Sequence, residues 1–276
     1  MQTIVETLEF EKHIKPKLKK GDIFEIIMRL NGKVFRSVKG RKTLQIEFAG
    51  HRYFIKQHLG IGWAEIFKNL LAFRKPVIGA KTEKLAIEKL DEIGIPTTPL
   101  VAFGERGVNP ATQQSFLITQ DLGNIISLED FCADWPYHPP AVAFRNELII
   151  AVATLAKKLH EAGLVHRDFY LCHLCLDGDL LAKGKIKLYL IDLHRVAMRQ
   201  VFGGRAVMKD VAALYFSAMD IGLSEEDIAL FKQHYTQDLP TNFWGDVKTR
   251  AAKLYKKFHS DKFQRRLKAE KSALDV

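Results

Sequence analysis

The sequence predicts an α+β fold with two lobes, a strand-rich N-lobe and a helical C-lobe. Short apolar or alternating segments bounded by glycine occupy much of the first part of the chain, which is typical of strands. Longer segments with apolar residues at helical spacing follow residue 123. The length of 276 residues allows two lobes, because one domain usually contains about 100–200 residues. We therefore expect the N-lobe at residues 1–121 and the C-lobe at residues 122–276.

The N-lobe begins with a series of predicted strands. Residues 22–30 are mostly apolar and are predicted as the first strand. Leu44, Ile46 and Phe48 alternate with polar residues, which is the period of a half-buried strand. Further strands are predicted at residues 53–57, 100–103 and 115–120.

Two helices are predicted among these strands. The second runs from Lys81 to Ile93 and ends at Gly94, a residue that commonly follows a helix. The first covers residues 63–73 and places five apolar side chains on one face. We expect this face either to join the core or to form a substrate or membrane element. Its members are Trp63, Ile66, Phe67, Leu70 and Leu71.

The C-lobe is predicted to be mostly helical. A long helix with an apolar face extends from Ala141 to Ala162, before Gly163. A loop that starts at His166 leads into a strand, and residues 185–191 alternate as a second strand. From about Lys209 onward the sequence again predicts helices.

The composition narrows the classes of protein. There are 42 Lys and Arg residues against 32 Asp and Glu residues, so the net charge of +10 favours anionic partners. The longest apolar run, residues 148–156, is far shorter than the ~20 residues of a membrane-spanning helix. Three cysteines do not form a disulfide framework, and the cytoplasm is therefore the expected compartment. Cys172 and Cys175 are predicted to be core residues, because a structural zinc site needs four ligands.

One short motif points to phosphoryl transfer. His166, Arg167 and Asp168 follow the long helix, and Asp192 closes the strand at 185–191. Phosphoryl transfer needs one carboxylate that accepts the proton of the attacking hydroxyl and another that holds Mg²⁺ against the phosphates. It also needs a cation that pairs with the phosphates, and Lys56 lies in the middle of a predicted strand of the N-lobe.

The sequence of this motif and of its surroundings resembles that of the protein-kinase-like superfamily. More specifically, the sequence resembles the bacterial lipopolysaccharide core heptose(I) kinases, the WaaP/RfaP family. Six segments carry the resemblance in family order and cover nearly the whole chain. They are GKVFRSVKGRKT (32–43), YFIKQHLGIGWAEIFKNLL (53–71), PVIGAKTEKLAIEKL (76–90), LVHRDFYLCHLCLD (164–177), LYLIDLHRV (188–196) and KDVAALYFSAMDIGL (209–223).

The resemblance implies a role for several residues. Asp168 matches the catalytic base, Asp192 matches the metal-binding aspartate, and Lys56 matches the lysine that pairs with phosphates. His166 and Asp210 match the residues that support the catalytic loop, with Asp210 expected to open a helix after Lys209. Residues 120–122, including Asp121, match the hinge that contacts adenine through main-chain groups.

The acidic partner of Lys56 is expected on the helix at 81–93, where Glu83 and Glu88 compete. An inward-facing glutamate should share its face with apolar residues three, four and seven positions later. Glu83 has Ala86, Ile87 and Leu90 at these positions, whereas Glu88 has two acids and an isoleucine. Periodicity therefore predicts Glu83.

Two features depart from the pattern of protein kinases. The chain has no G-x-G-x-x-G loop, and Arg36, Arg41 or Lys42 are candidates to cradle the phosphates; a solvated basic hairpin is the alternative. His173 occupies the position of a metal-binding asparagine. Because Mg²⁺ prefers oxygen ligands, His173 is expected either to ligate a second metal or to contact phosphate.

The C-terminal stretch from Lys248 to Lys271 is strongly basic. It contains ten Lys and Arg residues against two acids, interleaved with aromatic and aliphatic residues. A basic amphipathic helix of this kind indicates contact with an anionic membrane or a polyanion. A solvated face over a packed apolar stripe is the alternative.

The resemblance implies an ATP-dependent kinase, with Mg²⁺, that phosphorylates a heptose hydroxyl in the inner core of lipopolysaccharide. Its expected place is the cytoplasm, bound peripherally to the anionic inner face of the inner membrane. A small acidic protein partner is compatible with the charge, and the sequence contains no motif that would indicate a nucleic-acid partner. The alternatives are a kinase of another lipopolysaccharide sugar such as Kdo, a small-molecule kinase, and a basic binding protein or pseudokinase.

Overall fold

A computed structural model describes residues 3–6, 23–38, 40–48, 50–71, 78–236 and 238–272. The described residues form two compact units. The first contains the residues up to Ile125 together with Tyr189–Val196. The second contains Ile126–Leu188 and the residues from Ala197 onward.

The first unit is built on an antiparallel six-stranded sheet with the order β1-β5-β6-β4-β3-β2. Its long strands contain alternating or apolar residues, as the sequence predicts, and extend one to three residues beyond several of the predicted limits. The strands are β1 (Thr3–Glu6), β2 (Lys33–Val38), β3 (Arg41–Phe48), β4 (His51–His58), β5 (Leu100–Arg106) and β6 (Gln114–Gln120).

The segment predicted as a strand at residues 22–30 is instead a helix, α1 (Ile23–Arg29). Phe24 and Ile27 are its most buried side chains, and their spacing of three is the period of a helix rather than of a strand. Both pack into a core cluster that includes Ile55 and Phe116 of the sheet. A continuous apolar run is ambiguous between the two structures, which explains the wrong prediction.

Two further helices belong to the first unit. Helix α2 (Gly62–Leu71) buries Ile66 but leaves Trp63 and Phe67 half exposed; residues 72 and 73 of the predicted helix lie outside the described residues. Helix α3 (Lys81–Glu92) buries the face that periodicity predicts.

The second unit is mainly helical, as predicted. The predicted strand at residues 185–191 is shorter in the structure, and helix α7 begins at Arg205 rather than at about Lys209. Among the described residues, no helix is long and apolar enough to cross a membrane. The remaining elements of the chain are β7 (Ile125–Ser127), α4 (Leu128–Phe131), α5 (Val142–Glu161), a 3₁₀ turn (Leu171–His173), β8 (Leu174–Asp177), α6 (Gly178–Leu181), β9 (Leu188–Leu190), a second 3₁₀ turn (Leu193–Arg195), α7 (Arg205–Ser217), α8 (Glu225–Tyr235), α9 (Phe243–Phe258) and α10 (Asp261–Ser272).

The basic stretch at residues 248–271 is not one helix. Helices α9 and α10 are separated at His259 and Ser260, and the Ser260 carbonyl accepts hydrogen bonds from the amides of the next helix. Val247 and Ala251 of α9 are buried, and the ring of Phe258 contacts Phe216 of α7. The apolar stripe of α9 is therefore packed within the second unit, and the basic face is solvated.

Candidate active site

The first unit pairs Lys56 of β4 with Glu83 of α3. The Lys56 Nζ lies 2.6 Å from the Glu83 Oε1, and Glu83 is almost fully buried. Glu88 instead pairs with Lys84 on the same helix. Glu83 faces inward because it shares the apolar face of α3, as periodicity predicts. The buried carboxylate fixes the position of the ammonium group at the surface of the sheet.

Strand register aligns further cations with Lys56. Thr43 of β3 lies opposite both Arg36 of β2 and Lys56 of β4, and residues directly opposite in a sheet share a face. By the same register, Arg41 lies opposite His58 of β4, two residues after Lys56 and hence on the same face. We call Arg36, Arg41 and Lys56 the cationic row, and His58 lies on the same face beside it.

Lys42, the third candidate of the sequence analysis, does not belong to the cationic row. It lies opposite Ser37 and Gln57 and therefore projects from the other face of the sheet. The Gln57 side chain on that face donates a hydrogen bond to the Ile27 carbonyl of α1. Of the three cations considered for phosphate binding, the structure groups Arg36 and Arg41 with Lys56.

His58, which is almost completely buried, is not among the site residues predicted from the sequence. Burial lowers the pKa of His58 to about 4, and the positive charges of Arg41, Lys56 and His194 act in the same direction. Its imidazole is therefore neutral at physiological pH. The Nδ1 atom has no hydrogen-bond partner among the described residues. The period of two from Lys56 is the sequence signal that places His58 on this face.

Asp192 follows β9 and lies in the first unit with Lys56 and Glu83. Its backbone is left-handed, with φ 61°, a conformation that aspartate and asparagine adopt more readily than most residues. Its Oδ1 accepts a hydrogen bond of 2.6 Å from the His194 Nδ1. Burial and the neighbouring Arg36 lower the pKa of Arg41, whereas the negative charge of Asp192 raises it. The carboxylate thus interacts electrostatically with the cationic row.

Asp121 closes the edge of the sheet after β6. Its amide donates to the Arg52 carbonyl at 2.9 Å, and its Oδ2 accepts 2.6 Å from the Gln45 Nε2. Its Oδ1 accepts 2.9 Å from the Gly123 amide. The Asp121 side chain therefore orders the segment in which the hinge was predicted.

The second unit contains the His-Arg-Asp loop. Both carboxylate oxygens of the buried Asp210 accept backbone hydrogen bonds, one from the His166 amide and one from the Arg167 amide at 2.8 Å. Arg167 has a left-handed backbone, with φ 70°. These bonds fix the turn that precedes Asp168. Asp210 lies in the interior of α7 rather than at its start, which corrects the expected helix boundary.

Two residues that the sequence analysis missed support Asp210. The His160 Nε2 lies 3.4 Å from the Asp210 Oδ2, and the His160 Nδ1 lies 2.7 Å from the Tyr235 hydroxyl. His160 and Tyr235 are fully buried. Burial, followed by the charge of Asp210, raises the pKa of Tyr235, so the hydroxyl keeps its proton.

His173 also contacts the loop. Its Nδ1 donates a hydrogen bond of 2.6 Å to the backbone carbonyl of Asp168. In the neutral ring the Nε2 is then an acceptor. Among the described residues, no group of three or more His, Cys, Asp or Glu side chains is arranged to hold a metal ion. Asp192 belongs to the first unit and His173 to the second.

Cys175 lies in the core, as expected, whereas Cys172 is only partly buried. Cys132 is also buried. Burial raises the pKa of Cys132 to about 12 and, with a contribution from Asp130, that of Cys175 to about 11. Thiols with raised pKa values are poor nucleophiles and poor metal ligands.

The second unit also contains an apolar cavity of about 130 Å³. Leu128, Trp135, Leu148 and Val211 are among its lining residues, together with Lys248 of the basic helix. The cations of α9 and α10 are exposed on the surface of this unit, and we call them the C-terminal basic surface. They are Lys248, Arg250, Lys253, Lys256, Lys257, Lys262, Arg265 and Lys268.

The fold, the Lys56–Glu83 pair of the first unit and the His-Arg-Asp loop of the second unit define the class of protein-kinase-like phosphotransferases. The sequence profile described as "Lipopolysaccharide kinase (Kdo/WaaP) family" matches residues 26–235. The chain therefore belongs to the lipopolysaccharide kinase (Kdo/WaaP) family.

Named relatives of high similarity agree with this membership. The chain is 45% identical over 215 residues to the lipopolysaccharide core heptose(I) kinase WaaP of Escherichia coli K12, which covers 78% of this chain and 81% of that protein. It is 46% identical to the WaaP kinase of Pseudomonas aeruginosa over 215 residues, or 78% of this chain and 80% of that protein. It is also similar to a solved structure, "WaaP in complex with acyl carrier protein", with 36% identity and a TM-score of 0.76. That match covers 92% of this chain and 99% of the other.

Proposed function

We propose that this chain transfers the terminal phosphoryl group of ATP to a hydroxyl of heptose I in the inner core of lipopolysaccharide. The observation that carries the proposal is the 45–47% identity to three relatives named as heptose(I) kinases, each covering 78% of this chain. The Lys56–Glu83 pair and the braced His-Arg-Asp loop support the same chemistry, since a binding protein or pseudokinase needs neither.

The first unit carries the groups for the nucleotide. Lys56, held by Glu83, supplies a cation for the phosphates, and Arg36 and Arg41 supply the charge that backbone amides of a glycine-rich loop provide in other kinases. The main chain of residues 120–122 contacts adenine, with Asp121 ordering that segment. These groups bind and orient ATP without taking part in bond making.

Asp192 is the proposed ligand for Mg²⁺. The ion prefers oxygen ligands and is commonly held by one or two carboxylates together with substrate phosphates. The single carboxylate of Asp192 fits this pattern, and a preassembled cage of protein ligands is not required. When bound, the metal neutralises charge on the phosphates. We assign His173 to the support of the loop, because its Nδ1 donates to the Asp168 carbonyl.

Asp168 is the proposed catalytic base. Its carboxylate accepts the proton of the heptose hydroxyl as the oxygen attacks phosphorus, and the bond from phosphorus to the leaving oxygen of ADP breaks. Asp210 and His166 position this carboxylate through the turn at Arg167. Neither of them contacts the reacting atoms.

A small acidic protein of the acyl-carrier type is the proposed partner of the C-terminal basic surface. The similar solved structure is of WaaP with acyl carrier protein, and opposite charges steer such complexes. The apolar cavity beside Lys248 has the chemistry to accept an acyl chain. Reversing Lys253 and Lys257 to glutamate is expected to weaken binding of purified acyl carrier protein, most strongly at low salt. Unchanged binding at low salt would assign the partner to another surface.

The proposed location is the cytoplasmic face of the inner membrane, where a soluble nucleotide and a lipid-linked acceptor can both be reached. An anionic leaflet attracts a chain with a net charge of +10.

The proposed reaction is tested with labelled ATP, Mg²⁺ and lipopolysaccharide that lacks core phosphate, followed by mass-spectrometric mapping of the product. Asp168→Asn should reduce kcat by about 10²–10⁴-fold, the usual contribution of a positioned acid or base. The exposed Asp179 of the same unit provides the control variant Asp179→Asn, which should retain full activity. Phosphate on Kdo would indicate the Kdo-kinase alternative, and the absence of transfer would favour a binding protein.

A further inference from the structure

Helix α2 presents an apolar surface that does not join the core. Trp63, Phe67 and Leu71 are 50%, 56% and 82% exposed, and Leu59, just before the helix, is 50% exposed. The rings of Trp63 and Phe67 contact each other with centroids 5.8 Å apart. The spacing of four residues forms a stripe along one side of the helix. We call these four residues the α2 apolar face.

The exposure of this face is a result of how the helix is anchored. On its other side Ile66 is buried against Ile61 and Ala111. The Gly62 amide at the start of the helix donates to the Ala111 carbonyl at 2.9 Å. A side chain at Gly60 would lie 2.7 Å from the same carbonyl, so the backbone approaches closely there. The helix is therefore held with Trp63, Phe67 and Leu71 turned away from the unit.

The segment that contains this face is predominantly cationic. Residues 33–71 contain eight Lys and Arg residues and only two acids. One of these acids, Glu65, is paired with Lys68 on the same helix at 3.3 Å. The Leu59 amide donates to the Gly40 carbonyl at 2.8 Å, which brings the turn of the basic β2–β3 hairpin beside the start of α2. Apolar and cationic groups are thus neighbours on the surface of the first unit.

This combination matches the interface of an anionic bilayer. Helices that lie in the interface bury Trp, Phe and Leu side chains in the headgroup region, while nearby cations attract anionic lipids. Tryptophan is enriched at this depth. The ten residues of α2 span about 15 Å, so the helix can lie in the plane of the interface but cannot cross the membrane.

We propose that the α2 apolar face inserts into the headgroup region of an anionic membrane and binds the first unit to it. The benefit for catalysis rests on the proposed function, because the acceptor is then a lipid in the same membrane. The binding itself requires neither ATP nor the acceptor. Membrane binding by the α2 apolar face and the proposed kinase reaction can therefore be disproved separately.

The main test is sedimentation with vesicles of phosphatidylethanolamine and phosphatidylglycerol. The triple variant Trp63→Ser, Phe67→Ser, Leu71→Ser should bind these vesicles at least ~10-fold more weakly than the wild type, because it removes most of the apolar surface available for insertion. The matched control replaces three exposed apolar residues elsewhere, Val108, Tyr137 and Val201, by serine. It should bind as the wild type does.

Two further measurements separate membrane binding from catalysis. The triple variant should phosphorylate deacylated, soluble core oligosaccharide at the wild-type rate but should phosphorylate lipopolysaccharide in vesicles more slowly. In the wild type, brominated lipids should quench a fluorescence component that Trp63→Phe removes, a result that does not depend on the folding of the triple variant. If the wild type binds the vesicles but transfers phosphate to neither acceptor, the proposed function alone is overturned.

Several outcomes would overturn the inference. These are a wild-type protein that does not bind the vesicles, a triple variant that binds as tightly as the control, and the absence of quenching at Trp63. A wild-type dimer that the triple substitution converts to a monomer would show that the face is a contact between two copies of the chain.

Discussion

Replacing His58 by glutamine is expected to reduce the loss of stability that the protein shows in mild acid. The neutral state of His58 has a physical cause in the structure. Burial lowers its pKa to about 4, and the neighbouring charges of Arg41, Lys56 and His194 also oppose protonation. In the unfolded chain the imidazole is exposed and its pKa returns to about 6.5.

The direction of the effect follows from which state binds the proton first. Because the pKa of His58 is lower in the folded state, the unfolded chain is protonated first as the pH falls below about 6.5. The free energy of unfolding therefore decreases with falling pH until the folded-state pKa near 4 is reached. One pKa unit corresponds to 1.36 kcal/mol, so the loss between pH 7.5 and pH 5 is about 2 kcal/mol from this residue.

The measurement is urea unfolding of the wild type and His58→Gln at pH 7.5 and pH 5. The difference in unfolding free energy between the two proteins should change by about 2 kcal/mol in favour of the variant at the lower pH. His51→Gln, which replaces an exposed histidine of the same strand, is the control variant. If all three proteins lose stability equally, His58 is not held neutral by the fold and the reasoning is wrong.

Three further substitutions test the candidate site. Glu83→Ala should raise the KM for ATP more than Glu88→Ala, because only Glu83 pairs with Lys56; the reverse order in steady-state kinetics would contradict this. Asp192→Asn should raise the Mg²⁺ concentration needed for half-maximal activity, since asparagine keeps the left-handed backbone but not the charge; an unchanged Mg²⁺ titration would place the ion elsewhere. Asp210→Asn should lower kcat with little effect on the KM for ATP and lower the free energy of unfolding by about 1–3 kcal/mol, because one loop amide loses its acceptor; a variant with wild-type kcat would remove Asp210 from the support of the loop.

Local periodicity predicts the features of this protein that depend on one element. Glu83 was selected over Glu88 because a helix of known phase fixes which side chain faces inward, and the structure pairs Glu83 with Lys56. The strand at residues 43–48, which pairs with the strand of Lys56, is likewise predicted from alternation. By contrast, residues 22–30 were wrongly predicted as a strand, because a short apolar run has no period that separates strand from helix.

The features that the sequence did not predict depend on contacts between distant segments. The period of two places His58 on the face of Lys56, but its position opposite Arg41 depends on the register between β3 and β4, which the hydrophobic pattern does not specify. His160 and Tyr235 meet because helices α5 and α8 pack together, 75 residues apart in sequence. The apolar residues of helix α2 are predicted to share one face, but Ile66 is buried whereas Trp63, Phe67 and Leu71 are exposed, because burial depends on what lies opposite the helix.

The separation of residues 189–196 from the rest of the first unit has a consequence for synthesis on the ribosome. This segment carries Asp192, yet it is flanked on both sides by residues of the second unit. A nascent chain that has emerged only as far as Ile125 has the sheet strands and Lys56 but not Asp192, the proposed ligand for Mg²⁺. Folding in order of emergence, usual for consecutive domains, cannot complete this unit before much of the next has been translated. A fragment truncated after Ile125 is for the same reason not expected to be an independent nucleotide-binding domain. Dissection of the enzyme requires residues 189–196 to be supplied in trans or by circular permutation.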